Sequence, residues 1–123
     1  VFKCFGSKEG GDSLPLERLK RKLQNEVMWV YILRLLKERP MYAYELKKEV
    51  KKRFGWDAAT VTSYVVLYRL RMDSYVKTKW VDSEKGRPAR KYYSITRKGK
   101  KLLNDGREFM EEIYKKLFED LQS

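Results

Sequence analysis

No histidine occurs among the 123 residues, and that absence alone removes imidazole bases, the serine and cysteine triads that depend on them, and the commonest metal ligand. Cysteine occurs once, as Cys4, so an intrachain disulfide and a thiolate metal cluster are both excluded, and a reducing, cytoplasmic setting is the expectation. The longest apolar run, Val27 to Leu33, has seven residues, where a membrane span needs about 20. The first fifteen residues also lack the basic-then-apolar order of a signal peptide, so a membrane is not an expected partner. With no nucleophile beside a base and no phosphate-cradling glycine loop, neither catalysis, a cofactor nor a metal is expected.

Acid is the other shortage. Twenty-nine Lys and Arg stand against 17 Asp and Glu, a formal net charge of +12, which points to a polyanionic partner. The surplus is local: from Val76 to Lys101 the cations are Lys77, Lys79, Lys85, Arg87, Arg90, Lys91, Arg97, Lys98, Lys100 and Lys101, opposed by Asp82 and Glu84. From Leu102 onward acids outnumber bases. A basic run is often a solvated face, but this one falls on a predicted hairpin directly after a predicted helix.

What is present suits one folded domain, at 42% hydrophobic and 14% aromatic residues. Residues 1–13, with three glycines and no periodicity, read as a flexible leader. Asp12 or Ser13 can cap a long amphipathic helix through Leu16, Leu19, Leu23, Val27 and Val30, interrupted near Asn25 and stopped before Pro40. A second helix is predicted from Tyr42 to Phe54, with Tyr44, Leu46 and Val50 inward and Gly55 ending it, and a third from Ala59 to Met72. Tyr75 to Val81 and Lys91 to Ile95 read as the two strands of a hairpin, and Thr96 as the N-cap of a last helix reaching Leu121. The fold class expected is mainly α with a small β-hairpin. Residues 14–96 form a winged helix-turn-helix, and residues 97–123 an appended helix.

That last helix carries Leu102, Leu103, Phe109, Met110, Ile113, Leu117 and Leu121, a band too wide for one seam on a small domain. Self-association through it and the first helix is expected, with Leu103, Phe109, Met110, Ile113, Leu117 and Leu121 as the dimerisation set. Packing within one chain is the alternative.

Several stretches together carry a family resemblance: Pro40-Met41-Tyr42-Ala43-Tyr44-Glu45-Leu46; Tyr64 with Leu67, Arg69 and Leu70; Trp80; and Gly86-Arg87-Pro88-Ala89-Arg90-Lys91-Tyr92-Tyr93-Ser94-Ile95-Thr96. From about Val27 to Leu103 the chain resembles the PadR family of winged-helix transcriptional regulators, in its small subfamily with a single C-terminal helix. The resemblance implies a dimeric cytoplasmic repressor that releases DNA when a small aromatic or drug-like effector binds. The sequence departs from the family where Val61-Thr62-Ser63-Tyr64-Val65 replaces Gly-Thr-Leu-Tyr-Pro, where Ala43 replaces glycine, and where Ser74 replaces the glycine that turns the third helix into the wing.

The candidate contacts with double-stranded DNA follow from position. Thr60, Thr62, Ser63 and Tyr64 occupy the entering turn of the third helix and Arg69 lies farther along it, so they are candidates for base edges and phosphates. Tyr42 and Tyr44 could offer hydroxyls to phosphates or simply pack; the same alternative holds for Tyr64 and Tyr68. Lys77, Lys85, Arg87, Arg90 and Lys91 are the wing's candidates for phosphates or a narrow minor groove. Met28, Trp29, Phe109 and Met110 could line an effector site or serve the core. The expectation is a homodimeric, sequence-specific DNA-binding regulator. The rivals are a winged-helix module that docks on an acidic protein and a sequence-indifferent DNA binder.

Overall fold

The long amphipathic run divides in two because its composition changes along its length. The structure, a computed structural model, describes residues 14–84 and 86–119. Helix α1 covers Leu14–Asn25 and α2 covers Met28–Leu36, so the interruption falls where the sequence places it. The charged α1 buries no residue, whereas α2 buries Met28, Ile32, Leu33, Leu35 and Leu36. Burying each such side chain fully is worth about 1.5–3 kcal/mol, which makes α2 the centre of the core. The expected leader over 1–13 with Cys4, the capping Asp12 or Ser13, the wing residue Lys85, and Leu121 lie outside the described residues.

After Pro40 the chain forms a strand before it forms a helix. Strand β1 (Met41–Tyr42) pairs antiparallel with β3 (Arg90–Ile95), and β3 with β2 (Val76–Val81), in the order β1-β3-β2. The expected two-stranded hairpin is therefore a three-stranded sheet, with Met41 opposite Tyr93 and Tyr42 opposite Tyr92. Two residues carry no alternation, which is why sequence alone extends the next helix back to Tyr42.

Helix α3 (Ala43–Glu49) continues through a wider π-helical turn, Val50–Phe54, and ends at Gly55, whose φ of 77° is the left-handed cap geometry. Leu46 and Val50 face the core as expected, but Tyr44 is exposed. The reason is angular: two residues turn an α-helix by about 200°, so Tyr44 and Leu46 cannot share a face. Helix α4 (Thr60–Met72) buries Leu67 and Leu70 and half-buries Ser63 and Val66.

Helix α5 (Arg97–Tyr114), prolonged by a π-helical Lys115–Glu119, is anchored at its start. The Thr96 hydroxyl oxygen accepts from the Gly99 amide at 3.0 Å and its hydroxyl donates to the Ser74 carbonyl at 2.7 Å, tying the cap to the α4–β2 turn. Ser74 has φ 65°, so it adopts the conformation for which glycine is common. At Gly99 a Cβ would fall inside contact distance of the Tyr75 carbonyl and lie 2.8 Å from Ile95 Cγ1, so the close approach of α5 to the sheet requires glycine. Beyond that anchor Leu102 and Leu103 pack against the core and Trp29 packs over Gly106, and from Arg107 to Glu119 every residue of α5 and its π-helical extension is exposed.

Candidate nucleic-acid interface

Helix α4 stands between two grooves, and Tyr64 lines both. The first, about 550 Å3 between α3 and α4, is bordered by Tyr44, Lys47, Lys48, Lys51, Lys52, Thr60 and Ser63. The second, about 380 Å3 between α4 and β3, is bordered by Val65, Tyr68, Arg71, Lys91 and Tyr93. The structure thus brings Tyr44, Thr60, Tyr64 and Lys91 to one face, and Thr62 is exposed on the same turn of α4.

Individual side chains differ in what they can offer. The Thr60 hydroxyl accepts from Lys47 Nζ at 2.7 Å. Ser63 faces inward, donating to the Ala59 carbonyl at 2.8 Å and lying 3.6 Å from Met28 Sδ, so it leaves the outward set. Tyr42 is half-buried, with its ring edge-on to Tyr92 at 5.5 Å and the Arg90 guanidinium 4.5 Å from its centroid. Arg90 is thereby held by a cation–π contact at the base of the wing. Lys91 lies 6.0 Å from the Trp80 ring and 5.7 Å from that of Tyr93. Arg69, Lys77 and Arg87 are exposed but line neither groove.

The wing loop is organised by Ser83, whose hydroxyl lies 2.8 Å from both the Arg87 and the Pro88 carbonyls. The Arg87 amide donates to the Glu84 carbonyl at 3.0 Å, and Gly86, with φ 86°, supplies the positive angle this turn needs. Arg87 is therefore presented by a defined turn.

Sequence reasoning centred on the wing missed the cations of α3. Lys47, Lys48, Lys51 and Lys52 recur at steps of one, three and four, which confines them to one side of a helix. Placing the Lys-Lys-Glu-Val-Lys-Lys run on a helical wheel finds them. The same segment is pinned from behind. Arg53 grips Glu38 through two hydrogen bonds of 2.7 Å, and Arg34 adds one of 2.8 Å. The Arg53 hydrogen bonds, with help from Arg34, hold the Glu38 carboxyl down to about 2. Arg39 pairs with Glu45 at 2.6 Å, so both ends of the β1–α3 connection are held by ions. Burial raises the Tyr93 phenol above its ordinary value beneath the second groove.

Away from this face, Phe109, Met110, Ile113 and Leu117 of the dimerisation set are exposed, while Leu103 is half-buried against the core. Of the effector candidates, Met28 is buried in the core and Trp29 packs over Gly106. Met110 lines a cavity of about 590 Å3 between α2 and α5, together with Val30, Arg34, Lys37, Lys100 and Leu103. Among the described residues no cluster of three or more metal-ligating side chains occurs, and no helix is long and apolar enough to cross a membrane.

The family model for the transcriptional regulator PadR-like family matches residues 32–105, which spans the sheet, α3, α4 and the anchored half of α5. An uncharacterized protein of Lysinibacillus sphaericus is 34% identical over 76 residues, covering 60% of this chain and 69% of that one. Among solved structures, a PadR family transcription regulator from Clostridium difficile is 26% identical with a TM-score of 0.67, over 76% of this chain and 96% of that one. Bacillus subtilis PadR in complex with operator DNA superposes with a TM-score of 0.61 at 24% identity, over 72% of this chain and 57% of that one.

Proposed function

The chain belongs to the PadR-like family of transcriptional regulators, a family of regulators and not of enzymes, and from that premise we propose that it is a cytoplasmic, homodimeric repressor that binds specific double-stranded DNA sites. The observation that carries the proposal is the alignment of an exposed helix with cations on both sides: α4 between the α3 lysines and Lys91 of β3, with its own Arg71 on the Lys91 side. In this reading α4 enters the major groove by its Thr60–Tyr64 turn, with Thr62 and Tyr64 toward base edges. The α3 lysines and Tyr44 lie along one phosphate strand. Arg87, Arg90 and Lys91 of the wing reach the backbone or minor groove, Lys77 supports them from β2, and Arg69 and Tyr42 stand at the margins. The operator complex of the Bacillus subtilis relative supports this use of the shared fold.

The winged body, over 14–96, would then be the DNA-binding unit and α5 the dimerisation element. Exposed Phe109, Met110, Ile113 and Leu117, with Leu19 and Leu23 of α1, support a two-fold pairing of α5 and α1 with their copies, and hence a roughly palindromic site. The cavity between α2 and α5, apolar at Val30, Leu103 and Met110 and cationic at Lys37 and Lys100, supports a place for a small aromatic anion as effector.

The test is fluorescence anisotropy of a duplex from the gene's own upstream region against a scrambled duplex, across a salt series. A preference of tenfold or more, with affinity falling steeply as salt rises, is expected. Equal binding of the two duplexes makes the protein a sequence-indifferent binder, and no binding at low salt leaves the acidic-protein partner.

A further inference from the structure

Helix α4 is apolar on both sides. Its inward face sets Val66, Leu67 and Leu70 into or against the core, as a small domain requires. Its outward face is apolar as well: Val61, Tyr64, Val65, Tyr68 and Met72 are linked by spacings of three and four residues along one side of the helix, with Tyr64 and Val65 adjacent, and each is between 51% and 76% exposed. A continuous stripe of this kind marks an interaction surface.

The surroundings of the stripe identify its occupant. One bank carries Lys47, Lys48, Lys51 and Lys52, and the other carries Arg71 and Lys91. An apolar ridge between two cationic banks complements a duplex major groove, whose floor is base edges and whose walls are phosphates.

Residue chemistry then limits what the ridge can read. From Thr60 to Tyr68 there is no Arg, Lys, Asn, Gln, Asp or Glu. The bidentate pairings with guanine and adenine, and a carboxylate acceptor for cytosine, are therefore missing where the helix enters. Thr60 already accepts a hydrogen bond from Lys47, and Ser63 is turned inward. The outward surface offers the methyls of Val61, Thr62 and Val65 and the rings of Tyr64 and Tyr68, with the single hydroxyls of Thr62, Tyr64 and Tyr68 as its polar groups, none of them able to pair with a base in bidentate fashion. The one apolar feature of a base pair in the major groove is the C5 methyl of thymine.

Resting on the reading above that α4 enters the major groove, we infer that this protein selects its site chiefly by burying thymine methyls against Val61 and Val65. The base pairs beneath α4 are thus A·T. G·C pairs there are disfavoured because they present as many groove-edge donors and acceptors as A·T pairs but no methyl to bury against the valines.

The full chain is first used to enrich duplexes from a random-sequence library, and the thymines of the enriched core are then replaced by deoxyuridine, which lacks only the C5 methyl. Affinity is expected to fall about fourfold for each methyl removed from the interface, while deoxyuridine in the flanks has no effect. Val61→Ala and Val65→Ala, at exposed positions the core does not use, are expected to bind the thymine duplex more weakly than the unsubstituted protein and to match it on the deoxyuridine duplex. A G·C core, or equal affinity for the thymine and deoxyuridine duplexes, overturns the inference and leaves DNA binding intact. Failure to enrich any duplex overturns the inference together with the proposed function.

Discussion

Two regions of this molecule expose large apolar side chains, and they differ in the charge that surrounds them. Along α5, Phe109, Met110, Ile113 and Leu117 are exposed among charges that neutralise one another at four-residue spacing. Lys101 meets Asp105 at 2.9 Å, Arg107 meets Glu111 at 3.8 Å, and Lys116 meets Glu112 at 3.0 Å. On α4, Val61, Tyr64, Val65 and Tyr68 lie beside the lysines of α3. Of those four lysines, Lys51 alone meets a carboxylate among the described residues, at 3.2 Å from Asp57. Exposed apolar surface marks a place where a partner can bind, and the neighbouring charge limits the chemistry of that partner. A self-neutralised rim suits another protein surface, which in the proposed dimer is a second copy of the chain. An uncompensated cationic rim suits a polyanion.

Changing each region separately should break the comparison cleanly. The largest effect is expected from Ile113→Asp combined with Leu117→Asp, which places charge in the proposed dimer contact of both protomers. Four apolar side chains at about 1.5 kcal/mol or more each imply a rise of at least about ten-thousandfold in the dimer dissociation constant. Sedimentation equilibrium should then report a monomer whose far-ultraviolet circular dichroism is preserved.

The converse change is Lys48→Glu with Lys52→Glu. Duplex affinity near 0.1 M salt is expected to drop about a hundredfold, roughly tenfold for each phosphate contact turned repulsive, with the sedimenting mass unchanged. If those charge reversals dissociate the dimer, or if the α5 variant stays dimeric, the contrast between the two rims is lost.

A smaller effect is expected at the wing. Arg87→Ala with Arg90→Ala should weaken native and scrambled duplexes alike, by about tenfold. The slope of log affinity against log salt should shrink by about 0.9 for each phosphate contact removed. Selective loss for the native duplex would instead make these arginines base readers.

The smallest effect concerns the brace behind α3. Glu38 is held at about 2, against an ordinary value of 4.5, first by Arg53 and then by Arg34. Because its folded value is depressed, its contribution is present above 4.5 and fades as pH falls toward 2. Glu38→Gln should therefore lower the urea midpoint at pH 7, and the gap from the unsubstituted protein should close as pH falls through that window. A gap independent of pH would mean that the carboxylate charge contributes nothing.

Much of this architecture is legible in the sequence wherever the signal is local. The break near Asn25, the Gly55 stop, the Thr96 cap and the hairpin follow from single residues or short alternations that no tertiary contact needs to override. What escapes depends on pairing or on angle. Met41 and Tyr42 become a strand only because β3 lies beside them. Tyr44 points outward because it lies about 200° from Leu46. The candidate site is half visible: the basic wing stands out as a run of charge, and the resemblance to the family points to α4. The α3 lysines, interleaved with Glu49 and Val50, come together as one bank only once they are wound on a helix. Their place beside α4 is a tertiary fact.

Hydrogen exchange on the full chain, with and without a duplex from its own upstream region, tests the contrast between the two apolar surfaces most directly. New protection on adding DNA is expected over 44–52, 60–68 and 86–91. Protection over 109–118 should depend on protein concentration and be present before DNA is added. Protection by DNA that falls on α5 and spares α4 would contradict the account.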